Sequence, residues 1–171
     1  MKPIKFKSTL ISSPAESGWH FVCVPGKIGE KFEKRDGSRR VVCTINGVES
    51  FQCALLPSDG DFVIVVNKVK RDKLNIVDGD QVAVELKEDL SKYGLPMPEE
   101  LQEVLNQDAE GDKIFHSLTP GKQRSLLYFI GKVKDVDRRI HTALVFIEHL
   151  KKHEGKILHD ELQAELKRPF L

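Results

Sequence analysis

The sequence has no long apolar run. Its longest, Phe62–Val66, Leu126–Ile130 and Ala143–Ile147, have five residues each, against the roughly 20 that a membrane-spanning helix needs. Insertion in a membrane is therefore not expected, and Met1-Lys2-Pro3-Ile4 does not open the apolar core of a signal peptide. Cysteine is scarce. Cys23, Cys43 and Cys53 are an odd number without CxxC spacing, which excludes a disulfide framework or a zinc knuckle as the source of stability. Each lies in a mainly apolar stretch, where a reduced thiol behaves as a small hydrophobe, and a reducing, cytoplasmic setting follows as the expectation.

An excess of either charge is also lacking. There are 27 basic and 26 acidic residues, and a division after Lys92 leaves 15 basic against 13 acidic in front and 12 against 13 behind. A strong nucleic-acid binder concentrates positive charge because phosphate contacts dominate its affinity. Neither half shows such a concentration. Catalytic signatures are missing too: no GxSxG elbow, P-loop or GxGxxG, and no cysteine paired with histidine by spacing. Catalytic residues and cofactors are therefore expected to be none, and an unrecognised enzyme is the third reading behind two binding functions.

What is present is architecture. From Ile4 to about Glu88 six short strands are expected, at Ile4–Ile11, Trp19–Val24, Arg40–Ile45, Val48–Leu55, Phe62–Val66 and Val82–Leu86. Turn chemistry separates them at Pro14, Ser17-Gly18, Asp36-Gly37-Ser38, Asn46-Gly47 and Pro57-Ser58-Asp59-Gly60. Asn46-Gly47 is the strongest hairpin signal, since a type I′ turn wants φ > 0 at both positions. A shift of 41 residues without a gap sets Phe62, Val63, Val65, Lys68 and Val82 on Phe21, Val22, Val24, Lys27 and Val41. Self-similarity at a fixed offset marks one supersecondary unit used twice. Each copy includes a short helical turn, Gly26–Phe32 and Lys68–Leu74, placed to plug a barrel end. Two units whose sheet edges need partners close most economically on each other, with no swapped dimer required. A monomer is the expectation.

After Tyr93-Gly94-Leu95-Pro96-Met97-Pro98 the period changes to that of helices. Four are expected, at Glu99–Asn106, Ala109–Ser117, Pro120–Lys134 and Asp135–His153, and a charged, marginal fifth at Leu158–Lys167. Pro98-Glu99-Glu100 and Thr119-Pro120 supply the start signals. Leu126, Leu127, Phe129, Ile130 and Val133 form one apolar stripe; Ile140, Leu144, Ile147 and Leu150, joined by Ala143 and Phe146, form another. The fold class is thus α+β, a small duplicated, pseudo-two-fold double-split barrel at 1–92 followed by a helical region at 93–171.

These residues resemble two known families. Trp19-x-Phe21-Val22-x-Val24-Pro25, Thr44-Ile45-Asn46-Gly47, Leu56-Pro57-x-Asp59-Gly60, Asn67-Lys68 and Ile76-x-x-Gly79-Asp80-x-Val82 resemble a bacterial domain of unknown function with an AbrB-like double-split barrel. Pro98-Glu99-Glu100-Leu101, Phe115-His116-Ser117-Leu118-Thr119-Pro120-Gly121 and Arg138-Arg139-Ile140 resemble the helical region of the YdeI/OmpD-associated, bacteriocin-protection family. That family often shows Glu-Thr-Arg ahead of its Arg-Arg-Ile run, where this chain has Lys134-Asp135-Val136-Asp137. The resemblance implies a binding role in a stress or envelope-related setting. AbrB-like relatives are often DNA-binding dimers of swapped hairpins, whereas the internal repeat here supplies both halves in one chain.

Candidate binding residues are Trp19, Lys68, Arg71, Lys132, Arg138 and Arg139. Trp19 beside His20 either floors a pocket or serves as a core aromatic with its N–H satisfied. Lys68, Lys70, Arg71 and Lys73, with Lys34, Arg35, Arg39 and Arg40 in the first copy, either share an anion-attracting face or form a solvated surface interleaved with acids. Lys122, Arg124, Lys132, Lys134, Arg138 and Arg139 face only Asp135 and Asp137 between Thr119 and Arg139, the best local case for an anionic partner. Tyr128 and Phe129 are read as core or boundary residues. His149 and His153 stand one helical turn apart without HExxH, and histidines in a last turn complement the helix dipole, so no metal is expected. The leading reading is a non-catalytic binding module for an unknown small ligand or protein; the alternative is a sequence-tolerant nucleic-acid binder.

Overall fold

The computed structural model describes residues 1–14 and 18–169. It divides into two compact units, Met1–Leu90 and Ser91–Leu171. Of the Ser17-Gly18 turn signal, Ser17 lies outside the described residues, and Gly18 has a positive φ of 84°.

In the first unit the period-two segments form β1 (Ile4–Ser12), β2 (His20–Val24), β3 (Arg39–Ile45), β4 (Glu49–Ser58), β5 (Asp61–Val65) and β6 (Gln81–Glu88). They close into a barrel in the order β1-β2-β5-β4-β3-β6, and every neighbouring pair is antiparallel. β1 and β4 are long because each serves two partners. Residues 4–9 of β1 pair with β6 and 10–12 with β2, while residues 49–55 of β4 pair with β3 and 56–58 with β5. Alternate residues fill the interior: Leu10, Val22, Val24, Val41, Cys43, Ile45, Ile64, Val82, Val84 and Leu86 are buried, each large aliphatic side chain contributing about 1.5–3 kcal/mol. The hairpin between β3 and β4 turns at Asn46 (φ 53°) and Gly47 (φ 66°), the paired positive angles that the sequence predicts. Asn46 also anchors the turn to β6, its Oδ1 accepting from Ala83 N at 2.8 Å.

Two short helices, α1 (Gly26–Gly29) and α2 (Lys68–Leu74), follow β2 and β5. Asn67 caps α2 by accepting from Lys70 N at 2.9 Å, and Asn75 ends it in a left-handed conformation. Ile28, Phe32 and Leu74 pack on the barrel core. The gapless 41-residue register does not persist through the whole unit. At that shift buried Val41 and Cys43 meet buried Val82 and Val84, but buried Val22 meets the half-buried Val63. At a shift of 42, Val22 and Val24 meet buried Ile64 and Val66, and the capping residue Pro25 meets Asn67. One residue fewer between Asn67 and Val82 than between Pro25 and Val41 restores the inward parity that a strand needs.

The second unit holds α3 (Glu99–Gln107), α4 (Ala109–Ser117), α5 (Pro120–Gly131), α6 (Val136–Lys152) and α7 (His159–Leu166). Thr119 with Pro120, Asp108 and Asp135 open α5, α4 and α6 as caps. α5 ends at Gly131, three residues before the expected Lys134. Leu101, Leu105, Phe115, Leu126, Leu127, Ile130, Ala143, Ile147, Leu150 and Leu162 make the core. α4 approaches α6 closely because Gly111 has no Cβ; one added there would collide with Ile147 Cγ2. The α6 stripe differs from expectation. Ile140 and Leu144 are exposed, and the buried face runs through His141, Ala143, Phe146, Ile147, His149 and Leu150. The buried stripe spends two positions on histidines that close hydrogen bonds or line a groove, which an aliphatic count misses. Among the described residues no helix is long and apolar enough to cross a membrane.

Candidate functional site

The extended segment Leu95-Pro96-Met97-Pro98 forms one wall of a groove of about 530 Å³ in the helical unit. Pro98 precedes α3 with φ −59° and ψ 133°, and its carbonyl accepts from Gln102 N at 3.0 Å. Proline fixes this approach: it cannot continue a helix backwards and sets the chain extended. Glu99 and Glu100 from the first turn of α3, Leu127, Tyr128, Gly131 and Lys132 from the end of α5, and Arg139 from α6 complete the lining. The volume falls within the range of small-molecule sites, which are apolar with few polar groups.

Arg139 organises the floor. One guanidinium nitrogen donates to Glu100 Oε1 at 2.7 Å and another to the Val133 carbonyl at 2.7 Å. The side chain thereby ties α6 to α3 and to the α5–α6 connection. The hydrogen bond from Arg139 holds the Glu100 carboxyl below the usual carboxylate range, and the same bond raises the arginine. Lys132 differs. Its Nζ lies 4.7 Å from the Phe129 ring centroid and 5.6 Å from that of Tyr128, and it has no carboxylate partner among the described residues. Tyr128, read from sequence as core or boundary, is 61% exposed because its face of α5 borders the groove.

Two of the six candidates, Lys132 and Arg139, thus line one groove. Arg138 lines another, with Phe129, Val133, His141 and Thr142. The remaining three belong to the barrel. Lys68 pairs with Asp72 at 2.8 Å, and an Arg71 guanidinium nitrogen donates to the Val66 carbonyl at 2.7 Å, holding the turn into α2. Neighbouring cations are engaged likewise: Lys70 over Phe51, Lys73 near Glu49 at 3.9 Å, and Arg35 on Glu88 at 2.6 Å. Trp19 is 51% exposed, 6.2 Å from the Phe21 ring, which corrects the reading of it as a core aromatic. It stands just before β2, beyond the inward alternation. Cys23 is likewise exposed, on the outward face of β2, unlike buried Cys43.

Sequence reasoning missed the partners of the histidines. His149 Nε2 accepts from Leu158 N at 3.0 Å and Nδ1 lies 3.2 Å from Glu165 Oε1. His149, His153 and Glu165 offer ligand atoms within 4.8 Å of one another, a grouping that could hold a metal. Acceptance at Nε2 places the proton on Nδ1, where it donates to Glu165. Both nitrogens are occupied, so the cluster acts as a clasp between α6 and α7. Leu158 and Glu165 lie outside the pattern that marks α6, so spacing alone carried no signal for it.

The fold and the groove define a β-barrel unit followed by a helical unit with an amphipathic site. Residues 6–86 match the model of a domain of unknown function (DUF1905). Residues 95–153 match that of a family described as Bacteriocin-protection, YdeI or OmpD-Associated. The first match runs from β1 to β6, and the second includes every residue of the first groove. No curated protein matches the chain.

Proposed function

We propose that the protein is a non-catalytic binding module whose helical unit receives a small amphipathic anion in the α3–α5–α6 groove. The observation that carries this reading is Lys132: an ammonium group without a carboxylate partner among the described residues, at the rim of a groove walled by Leu95, Pro96, Met97, Pro98 and Leu127. The ligand's apolar body lies against the prolines and Leu127, and its anionic group meets Lys132. Arg139 and Glu100 are engaged with each other, which supports a binding floor over an acid–base pair. Anilinonaphthalene sulfonate, an aromatic body with one sulfonate, is a suitable probe. Its fluorescence should rise on binding to the full chain. Lys132→Gln should weaken that binding about tenfold, the factor for a charge-assisted hydrogen bond of about 1.4 kcal/mol. Gly131→Leu should block it by filling the groove toward Pro98, whose Cγ lies 3.7 Å from an added Cβ. Equal affinity in both variants and the parent would remove the groove from consideration.

For the barrel we infer a duplicated, AbrB-like double-split unit that works as a monomer in a reducing cytoplasm. Exchange of β1, β2 and β3 with β4, β5 and β6 reproduces the same cyclic strand order, and the two long strands change partners in corresponding places. Closure of the barrel by one chain leaves no edge for a swapped hairpin to satisfy, and three free thiols favour a reducing setting.

A further inference from the structure

A second groove, of about 540 Å³, lies where the end of α5, the first turns of α6 and the end of α7 meet. Phe129, Val133 and Leu166 give it an apolar floor, and Arg138, His141, Lys167 and Arg168 give it basic walls. Among the described residues no carboxylate lines it. Arg168 is balanced by Glu148 at 2.6 Å. Among the described residues the hydrogen bonds of Arg138 are those of its backbone, its N–H donating to Asp135 Oδ2 and its carbonyl accepting from Thr142 Oγ1. Its guanidinium and the Lys167 ammonium have no acidic partner among the described residues. Among the described residues the groove therefore holds about two uncompensated positive charges, on Arg138 and Lys167, beside an aromatic ring.

We propose that this groove is a second binding site, for a small organic phosphomonoester. A phosphomonoester carries about −1.5 to −2 charge at neutral pH, which matches Arg138 and Lys167. The planar guanidinium fork suits its oxygens two at a time. The ester's organic group lies on Phe129 and Leu166, so affinity depends on both halves of the ligand. Leu166 at the end of α7 and residues 167–169 complete the site and lie beyond the family match, which ends at residue 153. The site is thus separate from the Lys132 groove, and either can fail without the other.

The test is a titration of the isotope-labelled full chain with phenyl phosphate at low salt, followed by amide chemical shifts. Shifts centred on Arg138, Thr142, Leu166 and Lys167 are expected. The double variant Arg138→Gln with Lys167→Gln should weaken binding at least about tenfold with an unchanged spectrum elsewhere, since both side chains project from the surface. A charge-matched control, Lys113→Gln with Lys156→Gln, should leave affinity unchanged. Inorganic phosphate, lacking the aryl group, should bind more weakly than phenyl phosphate. Equal loss in the control, equal affinity for inorganic phosphate, or shifts elsewhere would overturn the proposal in favour of diffuse charge attraction. Displacement by a single-stranded oligonucleotide with steep salt dependence would overturn it in favour of a nucleic-acid surface.

Discussion

Glu100 makes the helical unit's stability depend on acid. Its folded-state pKa is lowered from 4.5, first by the Arg139 hydrogen bond. Asp108 is lowered from 3.8 by Lys151, whose Nζ is 2.7 Å from its Oδ2. A group with a depressed folded pKa contributes stability that is complete above its unfolded pKa and is lost as pH falls through the folded value. Denaturant unfolding should therefore show stability flat above about pH 5 and falling below about pH 4.5. Glu100→Gln should lower the neutral plateau and converge with the parent at acid pH. Parallel curves would show that the pair adds nothing. The thiols separate at this scale too. Burial pushes Cys53 up to about 12 and Cys43 higher still, whereas Cys23 is exposed. A thiol reagent at mildly alkaline pH should modify Cys23 first, the half-buried Cys53 more slowly and Cys43 only on unfolding; mass mapping of the labelled peptides reads the order directly. Prompt labelling of Cys43 would contradict the barrel interior described above.

At the scale of elements, α7 shows how a marginal helix is kept. Its apolar contribution to the buried core is Leu162, with Leu166 partly buried, and the connection before it is fixed by His149 through Leu158 N. His149 is 1% exposed, so His149→Phe would leave that N–H without its acceptor and strip the imidazole from Glu165, which keeps Lys152 at 4.0 Å. Such a loss costs about 1–3 kcal/mol, and hydrogen exchange should accelerate across α7 before the rest of the helical unit. Unchanged exchange in α7 would mean that its own packing suffices. Local signals explain what was legible here. Thr119-Pro120 and Asn46-Gly47 act within one turn of themselves, so the start of α5 and the β3–β4 hairpin could be read from the chain. The groove could not: it needs Pro96–Pro98 folded against Gly131 and Arg139, positions that no period links. Trp19 and Tyr128 were misplaced for the same reason. Aromatic size argues for burial, but only tertiary neighbours decide which face a residue presents. The aliphatics Ile140 and Leu144 likewise lost the buried side of α6 to a stripe that includes His141 and His149.

At the scale of the whole chain, the pairing pattern decides where it can be divided. The core of the barrel and the core of the helices share no residue, and the compact units meet at Leu90 and Ser91. Residues 1–92 alone should therefore fold, with cooperative unfolding by circular dichroism, although less soluble than the full chain. A cut at Gly47 is different. In the front half β1 and β2 retain three paired positions, Leu10 with Val22, Ile11 with Phe21 and Ser12 with His20. β3 loses both partners, since β4 and β6 lie beyond the cut. In the back half β4 and β5 also retain three positions, Leu56 with Val63, Pro57 with Phe62 and Ser58 with Asp61. β6 loses β1 and β3. A ladder that short, with its third strand unpaired, cannot offset the conformational entropy of ordering it. Neither fragment should show strand signal as a monomer by circular dichroism with light scattering. Mixing them should restore it, because each fragment holds the other's missing partners. A front half that folds as a monomer would refute closure by mutual pairing. A front half that folds only as its own dimer would instead support the duplication, since one copy of the repeat would then stand in for the other.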